Sequence, residues 1–515
     1  MPIGLDKEVL EKIDWEEALA EVLTDTKSDF LLAPYFTAVF SRAGDDLIAQ
    51  ASADLSAGRY APNLPITTSV PKSDLLTRPG SILRPVDRLV YQGLIKVLLP
   101  DIENAFDRDR SFSHVPAGEG AQLFQPSHTS WHKFQESIDT LCQTSNYILR
   151  TDIANFFQSI SQHALINSLE SDGCPPSAVR LLEEMLYQFT ERRSSGIIQG
   201  VYPSDVLGNY YLTAFDARLA MAGLDSARYV DDIYIGFDSE LDGKRFLVDA
   251  IGRLRADGLE LNQAKTALLP AEDMRQEERA VDKLFEDARQ EVSSAAEELA
   301  AGGYGFQGDW INEDDLEGAR EDDYDLIAVR ALLNFEDDNE GLAEKIDRFC
   351  LPLLRGARDP AGIERCFDGL KRRPHLTRLY FSYLTYFTRR DEALRRRVER
   401  LVRDNGFFID YQRMYHLAGL LPCDEVATST VNAVLRWLQN PKLSSDTRAI
   451  CAIFCAKFGN GAVRGEVRDL FSTAPDPLKF GVLYSARYFP RNEKGVIRKA
   501  WGSTDSVCAL IAKAR

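Results

Sequence analysis

The chain has 515 residues, 44% of them hydrophobic and 27% charged. That is too long for one ordinary domain and too rich in core-forming residues for a disordered, collagen-like or small disulfide-bonded protein. The net charge of −18 is concentrated, with 23 acidic and 6 basic residues from Glu272 to Glu340. The remainder is near neutral and free to carry a locally basic groove.

Residues 1–59 read as a helical extension, because Trp15, Ala18, Leu19, Val22 and Leu23 recur at helical spacing. The N-terminus has no basic region followed by an apolar stretch, so no secretory signal is expected. Residues 60–270 form the next unit. Pro62, Pro65, Pro71, Pro79 and Pro85 break its start into short strands and loops, and Arg88 to Phe106 returns to helical spacing. A buried strand is predicted over Tyr147–Thr151. A helix is predicted to follow Pro203-Ser204, with Ser204 as its cap and Leu207, Tyr210, Tyr211, Ala214, Phe215 and Leu219 on one face. Arg228 to Phe237 reads as a tight hairpin.

Residues 271–325 should hold an acidic helix, Glu277 to Leu299, and then an exposed linker. Residues 326–515 are helix-like nearly throughout. Amphipathic segments at Val431–Leu438, Arg448–Phe458, Val467–Phe471 and Lys479–Tyr488 suit stacked helix pairs in an α-solenoid. No run of about 18 apolar residues occurs, so no membrane partner is expected. The eight cysteines form no C-x-x-C pair and the six histidines do not cluster, which excludes a zinc or redox motif.

Three segments carry chemistry together. Arg150-Thr151-Asp152-Ile153-Ala154-Asn155-Phe156-Phe157 puts a carboxylate at the end of a buried strand. Gln199-Gly200 precedes Pro203-Ser204 and Leu207-Gly208-Asn209, and Tyr229-Val230-Asp231-Asp232 forms the hairpin tip. Joining a nucleotide to a 3′ hydroxyl requires stabilising a negatively charged pentavalent phosphorus, which two Mg²⁺ ions about 4 Å apart accomplish. Such ions want hard oxygen ligands, so carboxylates must converge from separate strands. A lone Asp-Asp pair is no signal; the ordered set is a strong one.

At these residues the chain resembles the reverse transcriptase family. Asp152 matches its first palm motif, Gln199 to Ser204 its second, and Tyr229 to Asp232 its third. Val70-Pro71-Lys72, Arg78-Pro79 and Leu83 to Arg88 look like the fingers of bacterial members, and Gly258 to Thr266 looks like the motif that closes the palm. The resemblance implies an α+β right-hand fingers and palm core fused to an all-α, HEAT-like helical-repeat domain. It implies a nucleotidyltransferase acting on deoxynucleoside triphosphates with Mg²⁺, Mn²⁺ being the alternative. Asp152, Asp231 and Asp232 would be catalytic and, with Ile153, would hold the metal. Phe157 would exclude a ribose 2′ hydroxyl and Gln199 would contact the incoming nucleotide. Lys72, Arg84 and Arg78 would bind the triphosphate, and Lys265 would serve the pyrophosphate leaving group.

The N-A-x-x-H and V-T-G motifs of retron enzymes are absent, as are a His/Cys-rich nuclease and an acidic set for a ribonuclease H domain. The layout is similar to the abortive-infection and unknown-group reverse transcriptases of bacterial defence. That likeness implies a cytoplasmic bacterial homo-oligomer triggered by a phage component and making single-stranded DNA. In some members synthesis is untemplated and starts on a tyrosine, for which Tyr488 and Tyr484 are the candidates here. Two alternatives stand beside it. One is the same enzyme copying a partner non-coding RNA bound by Lys371-Arg372-Arg373, Arg389-Arg390 and Arg395-Arg396-Arg397. The other is a silent palm that scaffolds a phage-sensing helical domain.

Overall fold

The computed structural model describes residues 4–73, 76–117, 123–300, 323–335, 340–407 and 409–514. They fall into two units. The first comprises Met1–Thr68, Pro79–Arg275 and Ala474–Arg515, and the second Ser69–Arg78 and Gln276–Thr473.

The first unit is built on a four-stranded antiparallel sheet. Its strands are β3 (Tyr147–Asp152), β4 (Ser226–Tyr229), β5 (Asp232–Phe237) and β6 (Ala267–Pro270), in the order β4-β5-β3-β6. A separate two-stranded sheet pairs β1 (Ile66–Pro71) with β2 (Thr77–Ile82). The register sets Tyr147 opposite Phe237 and Asp152 opposite Asp232, so Ile148, Arg150 and Asp152 share a face with Tyr234 and Asp232. The helix Ser127–Thr144 packs on that face. It places Phe134, Ile138 and Leu141, spaced four and three apart, against Ile148, Ala227 and Tyr234. The helix Glu240–Ala256 covers the opposite face, where Phe246 meets Phe237 at 5.4 Å between ring centroids.

The N-terminal extension is helical as expected, and buried ion pairs hold it in place. Asp14 caps the helix Trp15–Asp25 by accepting the Glu17 N–H at 2.9 Å. Glu21 of that helix accepts Gln92 and Lys96 at 2.8 and 2.7 Å, and Asp25 accepts Arg88 at 2.7 Å and the Tyr202 N–H at 3.0 Å. Gln92, Lys96 and Arg88 all lie on the helix Pro85–Glu103. Ser204 does not cap the helix Tyr202–Tyr211; it is buried inside the helix, and its hydroxyl lies 3.1 Å from that of Tyr91. The predicted single face also breaks at Leu212, where a second helix, Thr213–Met221, begins.

The C-terminal segment departs from the expected division. Residues 474–515 do not continue the second unit; Phe480 packs its ring on Tyr35 and Phe36 of the helix Pro34–Arg42, at 6.1 and 5.4 Å. That aromatic contact ties the last helices to the first ones.

From Gln276 to Thr473 the regular elements described in the second unit are helices. Glu340–Ala357, Thr377–Thr388, Asp410–Leu420 and Ser445–Phe458 form one row, each packing on the next. The helices Glu392–Arg403 and Thr428–Gln439 pack together in a second row. Polar centres fix the stack: buried Asp347 accepts Arg365, Arg373 and Tyr380 at 2.7, 3.0 and 2.6 Å. The basic run proposed for RNA is largely spent in such pairs, since Arg373 is buried, Arg372 reaches Asp368, and Arg396 and Arg397 meet Glu392 and Glu364. The acidic stretch forms Ala271–Glu278 and Ala280–Ala300; the expected linker at 301–322 lies outside the described residues. All eight cysteines are free thiols, and only Cys142 is less than fully buried.

His416 reports on this packing. It is buried against Phe381 and Phe407, and its Nε2 donates to the Val398 carbonyl at 2.7 Å. Burial lowers its pKa to about 3. A depressed histidine contributes stability that is present above its ordinary pKa and lost as pH falls below it. Denaturant unfolding between pH 7 and 5 should therefore weaken more steeply in the wild type than in His416→Gln. The difference should approach one bound proton, at most about 1.4 kcal/mol per pH unit; equal slopes would contradict a neutral buried imidazole.

Candidate active site

The site begins with the hairpin β4–β5. Tyr229 pairs with Asp232 across the two-residue turn Val230-Asp231, and Asp232 pairs on its other side with Asp152. Directly opposed residues on antiparallel strands point to one face. Tyr229, Asp232 and Asp152 therefore form a row across the top of the sheet.

The segment before β6 completes that row. Ala154 N–H donates to the Glu260 carbonyl at 2.7 Å and Asn262 N–H to the Asp152 carbonyl at 2.8 Å. These bonds carry the chain back along the end of β3 and place the Lys265 ammonium on the Asp152 carboxylate, 3.6 Å from Asp232. Burial works against that ammonium, but the bond to Asp152 and the charges of Asp232, Asp152 and Asp231 outweigh it and raise its pKa. Burial, and then the neighbouring charges of Asp232 and Asp152, push the Asp231 carboxyl up to about 6. The three predicted aspartates are thus brought together, and Lys265 joins them.

Among the described residues no group of three or more His, Cys, Asp or Glu is arranged to hold a metal ion as it stands. The cation the carboxylates share is Lys265, which acts as a stand-in: Asp152 and Asp232 accept one positive charge between them. Their hard oxygens suit a divalent ion, so the donor set fits one. Ile153 is buried, and neither bond flanking it uses its carbonyl, its one hard donor on this segment.

Val230 is a β-branched residue at φ 56°, a left-handed conformation that costs about 1–3 kcal/mol and persists only where its surroundings impose it. Both of its backbone polar groups are held. Ser113 Oγ accepts its N–H at 3.0 Å, and Arg228 Nη1 donates to its carbonyl at 2.9 Å. Arg228 is itself fully buried; Nε donates to the Asp216 carboxylate at 2.9 and 3.1 Å, and the guanidinium also reaches Asn209. Asn209 in turn donates to the Ser113 carbonyl at 2.9 Å. Arg228, Asn209, Asp216 and Ser113 are the residues that the sequence reading missed as a site. Two of them stood within segments it had singled out, but nothing in the pattern links an arginine to an aspartate twelve residues earlier and to a serine on a distant loop.

The Gln-Gly segment is held against the first motif. Gly196 and Ile197 donate to the Ile160 and Phe157 carbonyls, each at 2.7 Å. Gly200 sits at φ 88°, where a Cβ would meet the Phe30 ring at 2.7 Å, so only glycine fits. Gln199 lines a cavity of about 340 Å³ with Gln158, Phe189, Arg193 and Ser81. Phe157 is buried, its ring in edge contact with Phe156, and a Cβ on Gly208 would lie 3.0 Å from it.

The remaining candidates have other surroundings. Arg84 pairs with Asp476 at 3.1 Å rather than projecting freely. Lys72 and Arg78 belong to the second unit, where Lys72 is exposed and Arg78 lies near enough to Tyr411 to oppose the rise in its pKa that burial causes. Tyr484 accepts a hydrogen bond from Arg487 at 2.8 Å, and Tyr488 is half-buried with a raised pKa.

Residues 70–284 match the family model described as reverse transcriptase (RNA-dependent DNA polymerase). The chain therefore carries a nucleotidyltransferase domain, a DNA polymerase of the reverse transcriptase type. Domains of this family generally use divalent metal ions and deoxynucleoside triphosphates. No curated protein sequence matches the chain. A solved structure described as apo telomerase from Candida Tropicalis aligns over 90% of this chain and 73% of its own at 10% identity, with a TM-score of 0.30. A likeness that loose defines neither fold nor activity. No described helix is long and apolar enough to cross a membrane.

Arg228→Ala would strand the buried Asp216 carboxylate, which should cost about 3–5 kcal/mol in chemical denaturation. Arg228→Lys keeps the charge without the fork and should recover part of the loss. An alanine variant as stable as the wild type would show that the network does not hold the tip.

Proposed function

We propose that the first unit adds deoxynucleotides to a 3′ hydroxyl with two Mg²⁺ ions held by Asp152, Asp231, Asp232 and the Ile153 carbonyl. The observation that carries this reading is the single row of Tyr229, Asp232 and Asp152, with Asp231 beside it. When bound, the ions supply the positive charge that a pentavalent phosphorus demands. The chain's own groups do the rest. Arg228 and Ser113 hold the strained tip so that the carboxylates keep their places. Lys265 yields its position on Asp152 to the incoming charge and stays within reach of the leaving pyrophosphate, to which an ammonium can donate a proton. Phe157, wedged against Gly208 and Phe156, cannot retreat from a ribose 2′ hydroxyl. Gln199 faces the nucleotide from the Gln-Gly loop.

Beyond the chemistry, we assign the polymerase to bacterial anti-phage defence as a cytoplasmic homo-oligomer. Its support is the layout: a polymerase domain covering less than half the chain, joined to a large unit of stacked helices that we read as HEAT-like. Synthesis without a template, started on Tyr488 or Tyr484, is the form of the reaction that comes with the likeness to defence-associated reverse transcriptases. The pairing of most of the basic run makes RNA copying the weaker reading.

Labelled deoxynucleotide with Mg²⁺ should be incorporated by the wild type and not by Asp231→Asn, and chelation should abolish the signal. Equal incorporation by the variant would return the palm to a scaffold. Phe157→Val should lower the preference for deoxy- over ribonucleotides about 10- to 100-fold, read as a ratio of kcat/KM values; an unchanged ratio would remove Phe157 as the gate.

A further inference from the structure

The helix Ser127–Thr144 presents Phe134, Ile138 and Leu141 to the sheet. One turn earlier on the same stripe stands Trp131. Its ring lies 5.4 Å from Phe134 and 5.1 Å from Tyr229, the latter edge to face at 80°. Tyr229 is the end of β4, so the sheet stops there while the stripe continues. The indole packs on Tyr229, the first member of the row that continues to Asp232 and Asp152, and it remains 46% exposed. Its neighbour Phe134 is 1% exposed. A tryptophan is seldom fully buried but is highly buried on average, so nearly half of a side chain left open is more than core packing leaves. This one keeps an open surface beside the catalytic tip, braced by two aromatic rings.

A braced, open indole next to a polymerising centre suits the π-face of a nucleobase, and such stacking tolerates any base because each has one. We infer that Trp131 is a stacking platform for a base of the single strand held at the carboxylate row. The inference rests on the polymerase reading and names the partner of that site: single-stranded nucleic acid, gripped by its bases rather than read for its sequence. Trp131 touches that strand and takes no part in bond making.

The test is binding of a labelled oligo(dT) to the full chain without nucleotides, followed by fluorescence anisotropy and by quenching of indole emission. Trp131→Ala should weaken binding about 5- to 150-fold, the range that base stacking on an aromatic gives. Trp131→Phe should restore most of the affinity while removing Trp131's share of the quenching, a combination that a purely structural role would not produce. An alanine variant that binds as tightly as the wild type overturns the inference, as does a wild type whose emission ignores the oligonucleotide. Incorporation that survives Asp231→Asn overturns the polymerase reading instead, and the binding series decides Trp131 independently of it.

Discussion

Three carboxylates crowd the top of one sheet face, and their mutual repulsion is the constraint that the rest of the first unit answers. Asp152 and Asp232 are opposed in register, so neither can move away without breaking the ladder, and Asp231 stands beside Asp232 in the turn. The cost shows in Asp231, whose carboxyl burial and its two neighbours push up to about 6. The chain supplies one positive charge of its own, Lys265, which leans on Asp152 and reaches Asp232. Removing a carboxylate would relieve the crowding; retaining all three makes sense where a cation is to be bound.

Crowding would splay a loosely held turn, and the turn is held from behind. A buried arginine, an asparagine, an aspartate and a serine fix both polar groups of Val230, the residue with the least favourable backbone. The strain sits one residue from the first carboxylate of the pair, where a shift would re-aim it. The arginine belongs to β4, whose outer edge is closed by residues 110–112: Arg110 accepts the Arg228 N–H at 2.7 Å, and the Phe112 N–H donates to the Arg228 carbonyl at 3.0 Å. Edge protection and site alignment thus use the same residues.

Much of this was legible in the sequence, because local patterns fix local structure. The short apolar run Tyr147–Thr151 that leads to Asp152 and the two β-rich arms at Arg228–Phe237 specify strands, and a carboxylate at the end of each has few places to point. The helices Ser127–Thr144, Gln162–Ser171 and Pro176–Phe189 were not anticipated, although the last has seven buried apolar positions at helical spacing. What no local pattern encodes is partnership across distance. Ser204 has the chemistry of a cap, yet a tyrosine from another helix claims its hydroxyl. Arg84 has the chemistry of a phosphate ligand, yet Asp476 from the far end of the chain claims it. The last residues look like more of the helical stack until Phe480 finds Tyr35 and Phe36.

The account stands on one site being shared by carboxylates from two strands and a turn. Anomalous diffraction from crystals grown with Mn²⁺ tests it most directly. The account predicts density touching Asp152 and Asp231, with the Lys265 ammonium moved off Asp152. Manganese bound only elsewhere, with Lys265 still seated on Asp152, would contradict it.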